Sequence, residues 1–247
     1  MISVLRKNYI KMRIKVNLSK SLNFVPKNNQ QLLNSYVHKC LGRNNIYHDS
    51  KSDYSISTLK GFVTSSNKDN VNYGYGAYFI VSSLNMDFIS KLVLGLLSNK
   101  EFGFGMKFDG IDHIDEQLYD GWNHFNTLSP FIIKQYEDKK DYSFLQLGDK
   151  GFKNRVKSYL KNKLSKVDYT LDLSDFDVQI PEHPSHRVCR VQVKNVANFA
   201  NKCQISIHTN KRVATLLYNI GLGQSTGSGF GTIYKTENHR LYELKSE

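Results

Sequence analysis

The first regular pattern in the chain is a strict alternation of apolar and polar residues in "MRIKVNL", residues 12–18. Met12, Ile14, Val16 and Leu18 are apolar, and the residues between them are polar. A period of two is typical of a β-strand that buries one face and leaves the other free. The segment therefore predicts the first strand of a sheet.

The pattern then changes to a helical period over "NNQQLLNSYVHKCLG". Leu33, Val37 and Leu41 recur every four residues, Asn28 can cap the start, and Gly42 stands where helices end. "DYSISTLKGF" and "NYGYGAYFIV" predict two strands, "NMDFISKLVLGLLS" a second helix, and "FGFGMKF" a closing strand. The order β-α-β-β-α-β is that of a ferredoxin-like unit.

The same order is predicted again in the second half of the chain. "FNTLSPFIIKQ" begins it, and "GFKNRVKSYLKNKL" predicts a helix. "SHRVCRVQVKNV" and "KCQISIHT" predict strands, "NKRVATLLYNI" a helix, and "GTIYKT" the last strand. We therefore predict an α+β fold of two tandem ferredoxin-like halves, residues 12–126 and 127–247.

A glycine-rich loop, "GLGQSTGSGFG" at 221–231, lies between the last predicted helix and the last predicted strand. It lacks the GK[ST] ending of a P-loop, and it follows a helix, which excludes the dinucleotide fingerprint. Two interpretations remain open: a nest of backbone N–H groups for an RNA phosphate, or a packing device that lies flat across the crevice between the halves. The candidate phosphate contacts are Gly221, Gly223, Ser225, Thr226, Gly227, Gly229 and Gly231.

Charge narrows the choice of partner. Lys and Arg outnumber Asp and Glu by 34 to 22, which gives a formal net charge of +12 and favours nucleic acid or an anionic membrane surface. Residues 150–166 carry no acid, and Lys153, Lys157 and Lys161 form a stripe at helical spacing. One-signed charge at this spacing repels itself, and an RNA backbone would relieve the repulsion; the alternative is a solvated helix face. Arg187 and Arg190 are further candidates for RNA contact.

Other classes of protein are disfavoured. Cys40, Cys189 and Cys203 are scattered and fit neither a zinc site nor a disulfide framework, which favours a reducing cytoplasm. The longest apolar run, "LVLGLL", is too short to span a bilayer, and the N-terminus lacks the features of a signal peptide. We predict no metal site, no cofactor and no membrane partner.

Together, the tandem halves, the glycine loop ending in "GFG" and the basic surface resemble the CRISPR-associated endoribonucleases that cut repeat RNA, the Cas6 family of the RAMP superfamily. "VPKNNQQLLNSYVH" is similar to the start of the family's first helix, and "TLSPFII" to the start of its second half. The resemblance implies RNA cleavage without metal. The RNA's own 2′-hydroxyl attacks the adjacent phosphodiester and leaves a 2′,3′-cyclic phosphate and a 5′-hydroxyl.

The resemblance also implies partners. The substrate is CRISPR precursor RNA, cut within each repeat, and the product is the mature guide RNA. A CRISPR effector complex and a second copy of the chain remain open as further partners. The alternative function is a non-catalytic RAMP-type subunit that holds guide RNA in an effector complex.

Such cleavage needs a base, an acid and a cation for the developing charge. The family often carries a histidine on or just after helix one, and His38 and His48 match these positions, so the two are expected to act as acid and base. Where the family often has a lysine a few residues later, this chain has Tyr54 six positions beyond His48, and Lys51 is the nearest lysine. Lys51 and Tyr54 complete the catalytic candidates.

Overall fold

The computed structural model describes residues 12–42, 45–47, 53–136, 141–193 and 196–236. Within them, four α-helices divide evenly between an N-terminal and a C-terminal half. They are α1 (Gln30–Leu41), α2 (Met86–Ser98), α3 (Phe152–Val167) and α4 (Lys211–Ile220).

The N-terminal half is built on an antiparallel sheet in the order β3-β7-β1-β9-β8, with β4 also paired to β7. A smaller sheet has the order β2-β6-β5. The strands of this half are β1 (Met12–Leu18), β2 (Val25–Pro26), β3 (Tyr54–Ile56), β4 (Lys60–Gly61), β5 (Ser65–Ser66), β6 (Asn70–Asn72), β7 (Ala77–Ser83), β8 (Glu101–Gly103) and β9 (Met106–His113).

One face of this sheet is covered by α1 and α2. The alternating apolar residues of β1 share a buried core with Leu33 and Val37 of α1 and with Phe88 and Leu92 of α2. The two helices approach closely at Gly95, where a Cβ atom would collide with the Cys40 carbonyl. The strand and helices predicted from hydrophobic spacing therefore form because each buries its apolar side in the same core.

The predicted closing strand "FGFGMKF" is a hairpin, and the prediction of one continuous strand is wrong. Phe104 and Gly105 have φ values of 56° and 77° and reverse the chain between β8 and β9. Consecutive positive φ values are typical of the tight turn that joins twisted antiparallel strands. The alternation of Phe and Gly concealed this turn.

The C-terminal half has a second antiparallel sheet, in the order β13-β16-β10-β17. Two separate hairpins, β11-β12 and β14-β15, accompany it. The strands are β10 (Gly121–Thr127), β11 (Lys134–Tyr136), β12 (Tyr142–Phe144), β13 (Asp177–Gln179), β14 (Arg187–Val193), β15 (Val196–Lys202), β16 (Gln204–Thr209) and β17 (Ile233–Lys235).

Both sheets share one topology. If the four core strands of each half are numbered along the chain, each sheet has them in the order fourth, first, third, second: β9-β1-β7-β3 and β17-β10-β16-β13. This arrangement confirms the predicted pair of ferredoxin-like halves. The predicted boundary between residues 126 and 127 falls within β10, whose residues from Gly121 onward pair with β16 of the C-terminal sheet.

The segment "SHRVCRVQVKNV" is not a strand of that sheet. It forms β14, which within the described residues pairs only with β15. The position in the sheet that was predicted for this segment is occupied by the short strand β13. The reason lies in burial: no residue of β14 is fully buried, whereas Val178 of β13 is completely buried in the second core. Val191 and Val193 instead pack against a small cluster that contains Phe230.

The two halves are joined through a buried arginine. Arg13 lies on the face of β1 opposite the N-terminal core, and its Nη1 donates a hydrogen bond to the Tyr218 carbonyl at 2.9 Å. Its Nη2 donates to the Ile233 carbonyl, and its guanidinium carbon lies 3.9 Å from the centroid of the Tyr218 ring. Burial lowers the pKa of Arg13 to about 10, which leaves the side chain charged at neutral pH.

Replacement of this arginine tests how strongly the junction stabilises the protein. Arg13→Met should lower the free energy of unfolding by about 2–4 kcal/mol, because two buried carbonyls lose their donor. Arg190→Met is the matched control: Arg190 is exposed, and its loss should change stability by less than about 0.5 kcal/mol. Urea unfolding followed by circular dichroism measures both. Equal midpoints and slopes for the two variants would contradict a role for Arg13 at the junction.

Candidate functional site

The glycine loop, residues 221–231, lies at the junction of the two halves. From the N-terminal half, Asn34 of α1 donates to the Ser228 carbonyl at 3.2 Å, and the Tyr54 carbonyl accepts a 2.8 Å hydrogen bond from the Thr226 hydroxyl. From the C-terminal half, the Ile132 carbonyl accepts the Gln224 N–H at 2.8 Å. The loop therefore contacts both halves at once.

Close packing explains several of the loop's glycines. Gly223 and Gly231 have φ values of +70° and +71°, and a Cβ atom on either would collide with a backbone carbonyl, of Ile132 and of Leu222 respectively. A Cβ on Gly229 would collide with the side-chain amide of Gln30. These positions require glycine for chain crossing, as the packing interpretation expects.

The phosphate-nest interpretation stays a prediction, and the structure limits where it can apply. Gly221, Thr226 and Gly227 are also buried, and Ser225 is the exposed residue of the loop, with a left-handed φ of 55°. The edge that solvent reaches is therefore Gln224–Ser225 and Ser228. A phosphate could approach the loop there without opening the junction.

A lysine from α3 fixes the start of the loop. The Lys163 ammonium donates hydrogen bonds to the carbonyls of Ile220, Gly221 and Gly223 at 3.2, 2.8 and 2.9 Å. Burial lowers its pKa to about 7, although the three carbonyl acceptors oppose that shift because they stabilise the ammonium. From the sequence, Lys163 was recognised only as one of the basic residues between positions 150 and 166. Its position next to the buried Leu164 and one turn from the buried Leu160 could have indicated that Lys163 lies at the edge of the apolar side of the helix.

Helix α1 places His38 near the loop. Asn34 accepts a hydrogen bond from Gln30 at 3.1 Å while it donates to Ser228, so this ridge of the helix contacts the loop directly. His38 lies one turn further along the same ridge and is half-buried. His38 therefore follows, by one turn of α1, the residue through which this helix contacts the glycine loop.

Of the other three catalytic candidates, the structure describes only Tyr54. Tyr54 is 2% exposed; its ring stacks on Phe88 at 4.4 Å, and its hydroxyl donates to the Tyr47 carbonyl. This packing makes Tyr54 a core residue whose ring has no access to an RNA phosphate, which disfavours the catalytic role considered for it. His48 and Lys51 lie outside the described residues.

The basic candidates on α3 form a surface stripe. Lys153 is exposed, Lys161 is half-exposed, and Lys157 pairs with Asp177 of β13 at 2.9 Å. This ion pair neutralises part of the stripe, so Lys153 and Lys161 carry its free charge. The apolar side of the helix is buried as predicted, at Phe152, Val156, Leu160 and Leu164.

The β14-β15 hairpin carries the remaining basic candidates. Arg187 and Arg190 are both exposed on β14. Arg187 stands directly opposite Lys202 of β15, and Arg190 opposite Phe199. Like charges at opposed positions of a hairpin destabilise it unless an anion lies between them. The hairpin is therefore suited to an anionic partner.

Comparison with known families identifies the C-terminal half. Residues 115–234 match the family model "CRISPR associated protein Cas6, C-terminal". This region is a Cas6 C-terminal domain. It contains the second sheet, the basic helix, the hairpin and the glycine loop, so the resemblance to Cas6 and RAMP proteins predicted from the sequence is confirmed.

Solved structures extend the likeness to the whole fold. A structure described as "CRISPR associated protein Cas6" is 21% identical, with a TM-score of 0.76, over 92% of this chain and 100% of the other. "An RAMP protein binding different RNA substrates" is 20% identical, with a TM-score of 0.79, over 92% and 100%. A Cas6-related protein from Pyrococcus furiosus is 20% identical, with a TM-score of 0.78, over 92% and 99%. No curated protein sequence matches the chain significantly.

The described part of the chain has neither a metal-binding cluster nor a membrane-spanning helix. Among the described residues, no group of three or more His, Cys, Asp or Glu side chains is arranged to hold a metal ion. No α-helix in the described ranges has both the length and the apolar character needed to cross a membrane.

Lys163 gives the Cas6 domain a testable pH dependence. Its pKa is near 7 in the folded chain and near 10.5 in the unfolded chain, so between these values the unfolded chain binds more protons. Within that window the contribution of Lys163 to stability should rise with pH, by at most about 1.4 kcal/mol per pH unit, and it should be lost as pH falls towards 7.

The measurement is urea unfolding of wild type and Lys163→Met at pH 7, 8 and 9. The stability difference between them should grow with pH in favour of wild type. Lys166→Met is the control, because Lys166 is exposed on the same helix; its difference from wild type should stay constant. A pH-independent difference for Lys163→Met would show that the Lys163 ammonium keeps an ordinary pKa.

Proposed function

We propose that this protein is a metal-independent endoribonuclease that cuts CRISPR precursor RNA within its repeats and releases mature guide RNA. The observation that carries the proposal is the meeting of α1, with His38 on its surface, and the glycine loop of a Cas6 C-terminal domain. The fold shared with Cas6 structures and the basic surface support it. We propose that it acts in the cytoplasm.

The chemistry has defined roles for this chain's side chains. A base takes the proton of the 2′-hydroxyl as its oxygen attacks the phosphorus, and an acid protonates the departing 5′-oxygen. Imidazole suits both roles near neutral pH, and we assign them to His38 and His48. Lys51 would stabilise the extra negative charge on the phosphorus oxygens in the transition state. The products are a 2′,3′-cyclic phosphate and a 5′-hydroxyl.

A second function is favoured by one comparison. One of the structural neighbours is described as a RAMP protein that binds different RNA substrates, so a guide-RNA-binding subunit without cleavage activity is the alternative. Both functions use the basic surface and the loop. Only cleavage requires histidines near α1, and an effector complex or a second copy of the chain is a further proposed partner in either case.

The histidines and the nucleophile are tested together by single-turnover cleavage of the host's repeat RNA in EDTA. His38→Ala and His48→Ala should each slow cleavage about 10²–10⁴-fold where an acid or base is lost, while RNA affinity changes little. RNA with a 2′-deoxyribose at the cut should bind and stay intact, because the nucleophile is missing. The control is His183→Ala, on the connection that precedes β14.

Several results would contradict the mechanism. Cleavage of the 2′-deoxy RNA would exclude internal attack, and a strict requirement for added Mg²⁺ would exclude metal independence. Full activity of both histidine variants would move the catalytic group elsewhere. Binding of intact RNA without any cleavage by wild type would favour the guide-RNA-binding subunit.

The basic stripe is tested by salt dependence. Replacing Lys153, Lys157 and Lys161 by Ala should weaken repeat-RNA binding and flatten its dependence on salt by roughly one unit of slope per lost phosphate contact. Because Asp177 already pairs with Lys157, the single variants of Lys153 and Lys161 should carry most of the effect. Fluorescence anisotropy from low to high salt measures the slope.

The matched control removes the same charge from the N-terminal half, at Lys20, Lys68 and Lys100, which are exposed. The control should weaken binding less and keep the wild-type slope. Equal slopes for the two triple variants would show that net charge, and not the α3 stripe, governs binding.

A further inference from the structure

Two side-chain amides join α1 to the glycine loop through a chain of hydrogen bonds. Gln30 Nε2 donates to Asn34 Oδ1 at 3.1 Å, and Asn34 Nδ2 donates to the Ser228 carbonyl at 3.2 Å. Gln30 and Asn34 are one helical turn apart, so their side chains meet on one ridge of the helix. Neither residue has a role in the cleavage chemistry, although both lie on the helix that carries His38.

The Ser228 carbonyl fixes the orientation of both amides. A carbonyl only accepts hydrogen bonds, so the Asn34 side chain presents its NH₂ group to Ser228. The Asn34 oxygen is then directed towards Gln30, which in turn presents its own NH₂ group. If either amide were rotated by half a turn, two acceptors would face each other. The chain of hydrogen bonds therefore has one direction, from Gln30 through Asn34 to the loop.

Packing alone does not explain why residue 30 is a glutamine. Its side chain is 3% exposed, and its Oε1 has no hydrogen-bond donor among the described residues. A buried unpaired acceptor destabilises a fold, and a methionine of similar volume would avoid that loss. The Gln30 amide also fits only because residue 229 is a glycine, where a Cβ would collide with it. These features indicate that glutamine is needed at this position for the hydrogen bond that its Nε2 donates.

The two amides hold the part of the loop that lies nearest to solvent. Ser228 belongs to the edge that a phosphate could reach, and Asn34 binds its carbonyl from the side of α1. His38 follows Asn34 by one turn, which places their Cβ atoms about 6 Å apart. A shift of Ser228 relative to Asn34 would therefore change the distance between this edge and His38. Misplacement of reacting groups by about 1 Å can slow an enzyme about 100-fold.

We propose that Gln30 and Asn34 are positioning residues of the cleavage site. They lock the glycine loop onto α1 and so set the distance between the edge of the loop and His38. Asn34 acts on the loop directly, and Gln30 acts through Asn34. The role in cleavage rests on the proposed function, whereas the locking of the loop does not. Neither amide takes up or releases a proton in the reaction.

Hydrogen exchange of the loop, followed by mass spectrometry without RNA, tests the lock. Gln30→Met and Asn34→Leu each replace an amide by an apolar group of similar size. In both variants, peptides that cover residues 224–231 should exchange about 5-fold faster, the factor for one lost hydrogen bond of typical strength. Gln31→Met makes the same change at an exposed position of α1 and should exchange like wild type. Thermal melting near the wild-type temperature shows that each variant is folded.

Single-turnover cleavage of repeat RNA in EDTA tests the positioning role. Gln30→Met and Asn34→Leu should each slow cleavage at saturating protein about 10- to 100-fold, while the protein concentration for half-maximal rate changes little. The double variant should be no slower than Asn34→Leu, because Gln30 acts through Asn34. In a His38→Ala background, Asn34→Leu should slow cleavage no further, since the group that it positions is absent. A general loss of structure would slow both backgrounds by the same factor.

The outcomes separate this inference from the proposed function. Wild-type exchange of the loop in both variants would overturn the lock, whether or not repeat RNA is cleaved. Faster exchange with cleavage at the wild-type rate would overturn the positioning role, as would an undiminished effect of Asn34→Leu in the His38→Ala background. Faster exchange in the variants, together with no cleavage of repeat RNA by wild type, would support the lock and refute the nuclease.

Discussion

The structure depends on how the last four carbonyls of α4 are satisfied. These carbonyls have no partner within the helix, and here they are buried between the two halves. Gly221 N–H binds the first and Arg13 the second; the Ser82 hydroxyl binds the Asn219 carbonyl, and Lys163 binds that of Ile220. Donors from β1, β7 and α3 therefore converge on one helix end, and the Arg13 cation suits the negative end of the helix dipole.

The donors that converge on the end of α4 also position the glycine loop. The glycine loop begins where α4 ends, so the donors that satisfy the helix also set the direction in which the loop leaves it. The loop then runs beside α1, where Asn34 contacts Ser228 and His38 follows one turn later. A substrate bound at this edge meets groups from both halves, and their relative position is held by hydrogen bonds to backbone and not by an exposed linker.

Periodicity was sufficient to predict the repeated unit, since strands such as β1 and helices such as α3 bury one regular face each. It failed where local backbone geometry decided the outcome. The turn at Phe104–Gly105 requires positive φ at two residues, which an alternating pattern does not reveal. β13, and not the predicted β14, is a strand of the second sheet because β13 buries the side chain of Val178 in the second core. With only three residues, β13 is too short to show a recognisable alternation in the sequence.

The candidate site, like the fold, was predicted only in part from the sequence. The sequence placed His38 on the first helix, and the basic stripe of α3 was visible from helical spacing, but the contact between that helix and the glycine loop was not predicted. Lys163 and Arg13 could not be assigned from the sequence, because each acts on carbonyls that are distant along the chain. Tyr54 was considered for chemistry from its spacing to His48, but the aromatic packing around Phe88 buries it.

The β14-β15 hairpin stands outside both sheets, inserted between β13 and β16. It is linked to the rest of the half by the Phe131–Asn201 bridge, by hydrogen bonds between the Asn201 side chain and the backbone of Leu145 and Leu147, and by packing around Phe230. The order of the second sheet does not depend on the hairpin's length or on its outward residues. Evolution can therefore change the outward-facing residues of this hairpin without compensating changes in either core.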